Sequence, residues 1–196
     1  MAIAHARTAL TRQVRANGST SHVADFDPDT GKFIKQDTHQ GLSATSGWSR
    51  GQAWAVYGFA DCYRETNDTA FLDAARNLVN YCLRHLPADR VPYWDYDSSL
   101  IPNDVRDSSA ASILASGMLN LAQLVPDLQA SLWRDEALKI LESLWDNYSS
   151  RGVNTPCILL HGTRSKPHGS MDHGLIYGDY YFVEALTRLL VPNIPV

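Results

Sequence analysis

Between Ser108 and Val125 the chain carries no charged residue, yet Ser108, Ser109, Ser112, Ser116, Asn120 and Gln123 interrupt it too often for a membrane span. Its apolar spacing is helical. A helix with no charged face is buried on every side, so other elements must surround it. Gly51 to Ala60 is also uncharged, and 174–190 is apolar or aromatic nearly all round. Two other segments are one-faced. In 129–149, Trp133, Ala137, Ile140, Leu141, Leu144, Trp145 and Tyr148 oppose Arg134, Asp135, Glu136, Lys139 and Glu142. In 69–86, Phe71, Ala75, Leu78 and Cys82 oppose Asp73, Arg76 and Arg84.

Periodicity predicts helices near 2–15, 48–64, 69–86, 108–124, 129–149 and 174–190, with almost no credible strands. The order is outer, inner, outer, inner, outer, inner. Inner-to-outer links near 65–68 and 125–128 are short, which makes antiparallel helical hairpins. Outer-to-inner links at 16–47, 87–107 and 150–173 are long and rich in Gly, aromatic and polar residues. Inner helices begin about 60 residues apart, a structural repeat. The expected fold is all-α: an arc of an α/α toroid with three inner and three outer helices, in one partial domain over 1–196. An arc leaves its inner helices open at the sides, which invites self-association through those exposed edges or points to a longer protein. The long links gather over the N-termini of the inner helices, where free N–H groups favour an anionic ligand.

Charge narrows the function classes. With 17 basic and 21 acidic residues the net charge is −4. The chain lacks the basic surplus that a nucleic-acid partner requires. No apolar run is long enough for a membrane span. The polar start at Met1-Ala-Ile-Ala-His-Ala-Arg has no signal-peptide core, and Cys62, Cys82 and Cys157 form no disulfide framework; both favour a cytoplasmic over a secreted location. No cofactor motif is present. His161, His168 and His173 lie in a Gly-rich loop without metal-ligand spacing, so no metal site is expected.

Candidate chemistry collects where long links meet inner helices. In Ser46-Gly-Trp-Ser-Arg-Gly-Gln-Ala-Trp54, residues 50 and 54 are one helical turn apart. Arg50 offers a fork for a carboxylate and Trp54 an apolar face for a sugar ring. The bland alternative makes Trp48 and Trp54 core and gives Arg50 to a loop. Asp107 or Ser108 reads as an N-cap, with Asp107 holding Arg106 or a loop backbone. The link 17–47, with His22, Asp25, Asp27, His39 and Gln40, is long enough to be functional; the alternative is a solvated surface loop.

Four motifs then occur in order: Trp48-Ser-Arg-Gly-Gln-Ala-Trp-Ala-Val-Tyr-Gly-Phe, Val91-Pro-Tyr-Trp-Asp-Tyr-Asp, Arg106-Asp-Ser-Ser-Ala-Ala-Ser-Ile and Gly174-Leu-Ile-Tyr-Gly-Asp-Tyr-Tyr-Phe-Val-Glu-Ala-Leu. With Arg15-Ala-Asn-Gly-Ser-Thr-Ser-His22 and His39-Gln-Gly ahead of them, the chain resembles the unsaturated glucuronyl hydrolases, glycoside hydrolase family 88, across essentially its whole length. The resemblance implies an (α/α)6 barrel of the six-hairpin glycosidase type, of which this chain supplies the C-terminal half. It implies an oligosaccharide substrate with a Δ4,5-unsaturated uronic acid at its non-reducing end. An aspartate acts as acid and base to hydrate the vinyl ether, and the resulting hemiketal opens to release the sugar.

By the same resemblance His22, Gln40, Trp48, Arg50 and Trp54 line the substrate pocket. Trp54 stacks on the ring, and Arg50 and Gln40 hold the carboxylate or neighbouring hydroxyls. The family's acid/base aspartate falls upstream of Met1, so no catalytic residue is assigned. None of Asp25, Asp95, Asp107 and Asp179 matches the motif of that aspartate, and Arg164 stands where the resemblance expects an aromatic. Two readings follow: a hydrolase chain inactive by itself, or a non-catalytic acidic-sugar-binding or interaction fragment.

Overall fold

The structure is a computed structural model that describes residues 1–125 and 128–191. Six helices dominate: α1 (Ala2–Arg12), α2 (Ser49–Thr66), α3 (Thr69–His85), α4 (Ser108–Leu124), α5 (Leu128–Asn147) and α6 (Ile176–Leu190). Part of the short link expected at 125–128 lies outside the described residues.

The uncharged segment sits where its composition sends it. From Ser108 through Leu121 every residue of α4 is buried, and α4 packs against α2, α5 and α6. Small side chains let neighbours come close. A Cβ on Gly117 would stand 3.1 Å from the Tyr57 backbone, and one on Gly178 would stand 3.0 Å from the Ser109 side chain. These contacts also fix direction. Gly178 meets Ser109 near both helix starts, and Gly117 meets Tyr57 about two turns into both, so α2, α4 and α6 run parallel from one rim.

Outer helices α3 and α5 back α2 and α4. The α3 side buries Phe71, Ala75, Leu78, Val79 and Cys82, while α5 buries Trp133, Ala137, Ile140, Leu141 and Leu144. Two α5 positions depart from the expected faces. Trp145 is 46% exposed, its ring covered by the Arg151 guanidinium 4.4 Å away. Glu136, expected on the polar face, is buried because Arg90 reaches its carboxylate at 3.2 Å and Lys139 at 2.8 Å.

Two helix starts, those of α3 and α4, follow capping chemistry. The Asp68 side chain accepts from Ala70 N at α3, and Asp107 accepts from Ser109 N and Ala110 N at α4. Asn67 closes α2 in the left-handed region at φ 55°, a conformation asparagine tolerates better than most residues.

The expectation of almost no strands needs one correction. Val23–Phe26 (β1) and Phe33–Asp37 (β2) pair antiparallel inside the first long link. The turn between them, Asp27-Pro-Asp-Thr-Gly31, is closed by Asp27, whose carboxylate accepts from Asp29 N and Thr30 N. These strands are too short and too exposed to give a clear alternation. The helix expected over 2–15 ends earlier, at Arg12, where the chain turns toward the Val14–Thr20 bridge.

The ring is open on two flanks. Helix α1 has no buried residue. At the other flank α6 exposes Ile176, Tyr180, Val183, Leu186 and Leu190.

Candidate functional site

The three long links meet over the rim and are tied together by charged side chains. Arg15 donates to Gln36, Ser19, Thr20 O, Ser46 O and Ala44 O, drawing the first link onto the rim. Burial pulls its pKa down, while Tyr81, Asp97 and Asp95 pull it back up. Asp95 is fully buried and accepts from Leu42 N, Asp97 N and the Ser46 hydroxyl. Burial raises its pKa, against those hydrogen bonds. This aspartate therefore holds two links together and faces no open space.

His22 is the hinge between strand and rim. Its Nδ1 accepts from His39 N and Gln40 N, each at 3.1 Å. That assigns the neutral ring with its proton on Nε2. Burial lowers the His22 pKa, with further lowering from His39 and Arg50. Its ring lies 4.4 Å from that of Trp48.

Arg50 sits beneath Trp48. Its guanidinium carbon lies 4.7 Å from the Trp48 ring centre and 5.3 Å from that of Tyr177. Nη1 donates to Asp107 at 2.6 Å and to Thr163 O at 2.5 Å, and Nη2 donates to Arg164 O at 2.5 Å. Gln40 Nε2 reaches the same Arg164 carbonyl at 2.8 Å. The pair Arg50 and Gln40 thus clamps the third link onto the first two.

Four of the five expected site residues, His22, Gln40, Trp48 and Trp54, line one cleft of about 540 Å3. Its upper end forms a cup at the rim, and its lower end continues between α1 and α2 past Ala55, Gly58 and Cys62. Arg50 lies behind that wall. A guanidinium only 3% exposed requires a partner charge, and Asp107 supplies it. Asp107 is indeed the α4 N-cap, but it holds Arg50 and Thr163 N rather than Arg106. Arg106 turns outward to Asp89 and Val91 O.

Sequence reasoning left out two partners. Tyr177 and Tyr181, one turn apart on α6, face Arg50 and Trp54, one turn apart on α2. Trp54 and Tyr57 both meet the Tyr181 ring at 79°, with centroids 5.0 and 5.1 Å away. Tyr57 Oη donates to Glu184, which also accepts from Ser116 and Arg188. The matched four-residue spacing in the first and last motifs is the signal that marks them.

The histidines of the third link disperse. His161 bonds Asp172 at 2.6 Å, His168 bonds Ser165 with its ring centre 4.5 Å from that of His39, and the His173 backbone pairs with Gly162. Among the described residues no group of three His, Cys, Asp or Glu side chains has metal-binding geometry. No helix among them is long and apolar enough to cross a membrane.

Parallel inner helices with outer helices behind and a histidine- and tryptophan-lined cup at their N-terminal rim define an α/α toroid, present here as about half a ring. The chain is a relative of the unsaturated glucuronyl hydrolases. It is 39% identical to the unsaturated glucuronyl hydrolase of Formosa agariphila over 193 residues, 96% of this chain and 48% of that protein. The crystal structure of unsaturated glucuronyl hydrolase from Bacillus sp. GL1 matches with a TM-score of 0.92 and 36% identity, over 96% of this chain and 51% of that one. A Streptococcus agalactiae mutant enzyme complexed with dGlcA-GalNAc6S matches with a TM-score of 0.79 and 35% identity, over 92% of this chain and 49% of that one. No family model matches the sequence. The chain spans about half the length of the curated relatives it matches.

Proposed function

We propose that this chain is the sugar-holding, C-terminal half of a glycoside hydrolase for oligosaccharides ending in a Δ4,5-unsaturated uronic acid. One observation carries the reading: His22, Gln40, Trp48 and Trp54 converge on one cup although they come from two different stretches of the sequence. The indole of Trp54 offers the flat face that a half-planar unsaturated ring stacks on. His22 presents its Nε2–H and Gln40 its amide oxygen to ring substituents. The inner-helix N-termini at the rim bias the cup toward an anion.

The reaction in this reading is hydration of the C4=C5 vinyl ether. A proton goes to C4, a water oxygen bonds C5, and the hemiketal collapses with cleavage of the glycosidic bond. The cleft lining contains neither aspartate nor glutamate. In this reading the proton donor comes from a further half-ring that meets this chain at the open inner-helix edges.

The test is calorimetric titration with an unsaturated chondroitin disaccharide, followed in parallel by absorbance of its double bond. Binding is expected with no loss of absorbance, and Trp54→Ala abolishes the heat. Turnover by the purified chain overturns the assignment of the acid. Absence of binding overturns the cup.

A further inference from the structure

Three pairs of side chains join α2 to α6 in one register. Arg50 meets Tyr177, Trp54 meets Tyr181, and Tyr57 meets Glu184. The steps are four and then three residues on both helices, as the facing sides of two parallel helices require. Both helices pack on α4, whose Ser109 and Ser116 hydrogen-bond the first and last pairs, at Arg50 Nη1 and Glu184 Oε2. The first two pairs serve the rim and the cup. The third lies about one helical turn deeper, outside the cleft lining, and the proposed reaction makes no use of it.

Glu184 joins all three inner helices. Its Oε1 accepts from Tyr57 Oη at 2.9 Å and from Arg188 Nη2 at 2.8 Å, and its Oε2 accepts from Ser116 Oγ at 3.0 Å. Glu184 and Arg188 are both buried. Burying such a pair carries a desolvation cost that its own attraction need not repay. Arg188 Nε moreover has no hydrogen-bond partner among the described residues. Apolar residues of the same size would serve stability as well. What a carboxylate adds is direction, and it directs Tyr57. Burial and then the Glu184 charge raise the Tyr57 pKa, so its hydroxyl keeps the proton that it donates. The Tyr57 ring stands edge-to-face with Tyr181, and Tyr181 stands edge-to-face with Trp54, both at 79°. Such pairs carry an angular preference as well as contact area. The orientation set at Glu184 therefore passes through two rings to the indole.

We propose that Glu184 is a positioning residue for the cup: by holding the Tyr57 hydroxyl it fixes the ring that sets Tyr181, and Tyr181 sets Trp54 for stacking. Glu184 itself touches no ligand. The proposal rests on the reading of Trp54 as the face on which the unsaturated sugar lies. Its consequence is a platform already in place before the sugar arrives, so that ordering the indole takes little from the binding free energy.

The experiment is fluorine NMR of the whole chain carrying fluorotryptophan, recorded first without sugar, with the Trp54 resonance assigned by its loss in Trp54→Phe. The parent is expected to show one sharp Trp54 line. Tyr57→Phe removes a single oxygen and should keep the helical circular dichroism. It should shift and broaden the Trp54 line, and the dissociation constant for an unsaturated chondroitin disaccharide should rise severalfold. Glu184→Leu should do the same. Glu184→Gln separates direction from bulk stability. Its amide oxygen still accepts from Tyr57, so the Trp54 line and the affinity should return to the parent values, while the unpaired Arg188 lowers the thermal midpoint. A Trp54 line unmoved in Tyr57→Phe overturns the proposal. So does a line that follows the thermal midpoint across these variants instead of the Tyr57 hydrogen bond. If the parent binds no disaccharide, the cup reading fails by itself, and the spectra without sugar still decide whether Glu184 sets Trp54.

Discussion

Arg50 Nη1 and Asp107 Oδ2 lie 2.6 Å apart with both side chains buried, joining the first turn of α2 to the N-cap of α4. One carboxylate therefore caps a helix, neutralises a guanidinium and receives Thr163 N from the third link. Removing one partner of a buried pair leaves the other charge unpaired, at a cost of about 3–5 kcal/mol. Asp107→Ala is expected to fall in that range by urea unfolding. Asp107→Asn should lose less, because its amide oxygen still caps α4. A loss below about 1 kcal/mol for the alanine variant would show that the pair is dispensable.

The pH dependence of the rim runs through His22. Its pKa is lowered in the folded chain, so below the ordinary histidine value near 6.5 the unfolded chain binds the extra proton more readily. This residue's share of stability is therefore complete above that value. It drains away as pH falls and stops changing once pH passes below the folded-state pKa. A proton on Nδ1 would also evict His39 N and Gln40 N. His22→Asn is expected to flatten the unfolding free energy between neutral and mildly acid pH. An imidazole NMR titration midpoint at or above 6.5 would sink the argument.

Acid acts on a second joint. Asp104 accepts from Trp94 Nε1 at 2.8 Å, from the Ser98 hydroxyl and from Lys166 Nζ. Burial raises its pKa, but Lys166, Ser98, Trp94 and Val105 N outweigh it and hold the value at about 2. A depressed carboxylate stabilises the fold above its unfolded value near 3.8, and that contribution disappears as pH falls toward 2. Lys166→Ala should shift the acid unfolding midpoint upward, read by circular dichroism, because the tether between the second and third links is weakened. An unchanged midpoint would remove Lys166 from the account.

Much of this was legible in the sequence, for identifiable reasons. The uncharged run at α4 could only be central, and the one-faced patterns of α3 and α5 could only be peripheral. The four-residue step from Arg50 to Trp54 placed both at the rim. What periodicity does not carry is depth. Arg50 and Trp54 share a helix face, yet Trp54 reaches the cup while Arg50 lies under Trp48 because Asp107, fifty-seven residues on, draws it in. Glu136 is drawn inward by Arg90, far back in the sequence, while Trp145 stays outside under Arg151, six residues on. The β1–β2 hairpin was hidden because its strands are half exposed and the connection between them, 27–32, spans six residues.

The cup makes a graded prediction. Tyr181 holds Trp54 edge-on, and edge-to-face ring pairs contribute about 0.5–1.5 kcal/mol beyond burial. Trp54→Ala removes the sugar platform and should abolish detectable binding of an unsaturated disaccharide. Tyr181→Leu should weaken it only severalfold by freeing the indole to rotate. Equal losses in the two variants, read by tryptophan fluorescence titration, would mean that Tyr181 touches the ligand itself.

Two glycines on adjacent inner helices should respond in opposite directions. A Cβ on Gly117 would meet Tyr57 N and Cα at 3.1 Å and Val56 Cγ1 at 3.2 Å. Backbone atoms of a packed helix do not step aside, so α4 must back away from α2, and overpacking of this kind costs about 1–3 kcal/mol. The gain in helix propensity from Gly to Ala, about 1 kcal/mol, does not cover that. Gly58 has open space around its Cβ position, so only the propensity gain remains there. Gly58→Ala should raise the thermal midpoint of the chain and Gly117→Ala should lower it. If both variants move the midpoint the same way, the close approach of α4 to α2 is not what sets the spacing of the inner ring.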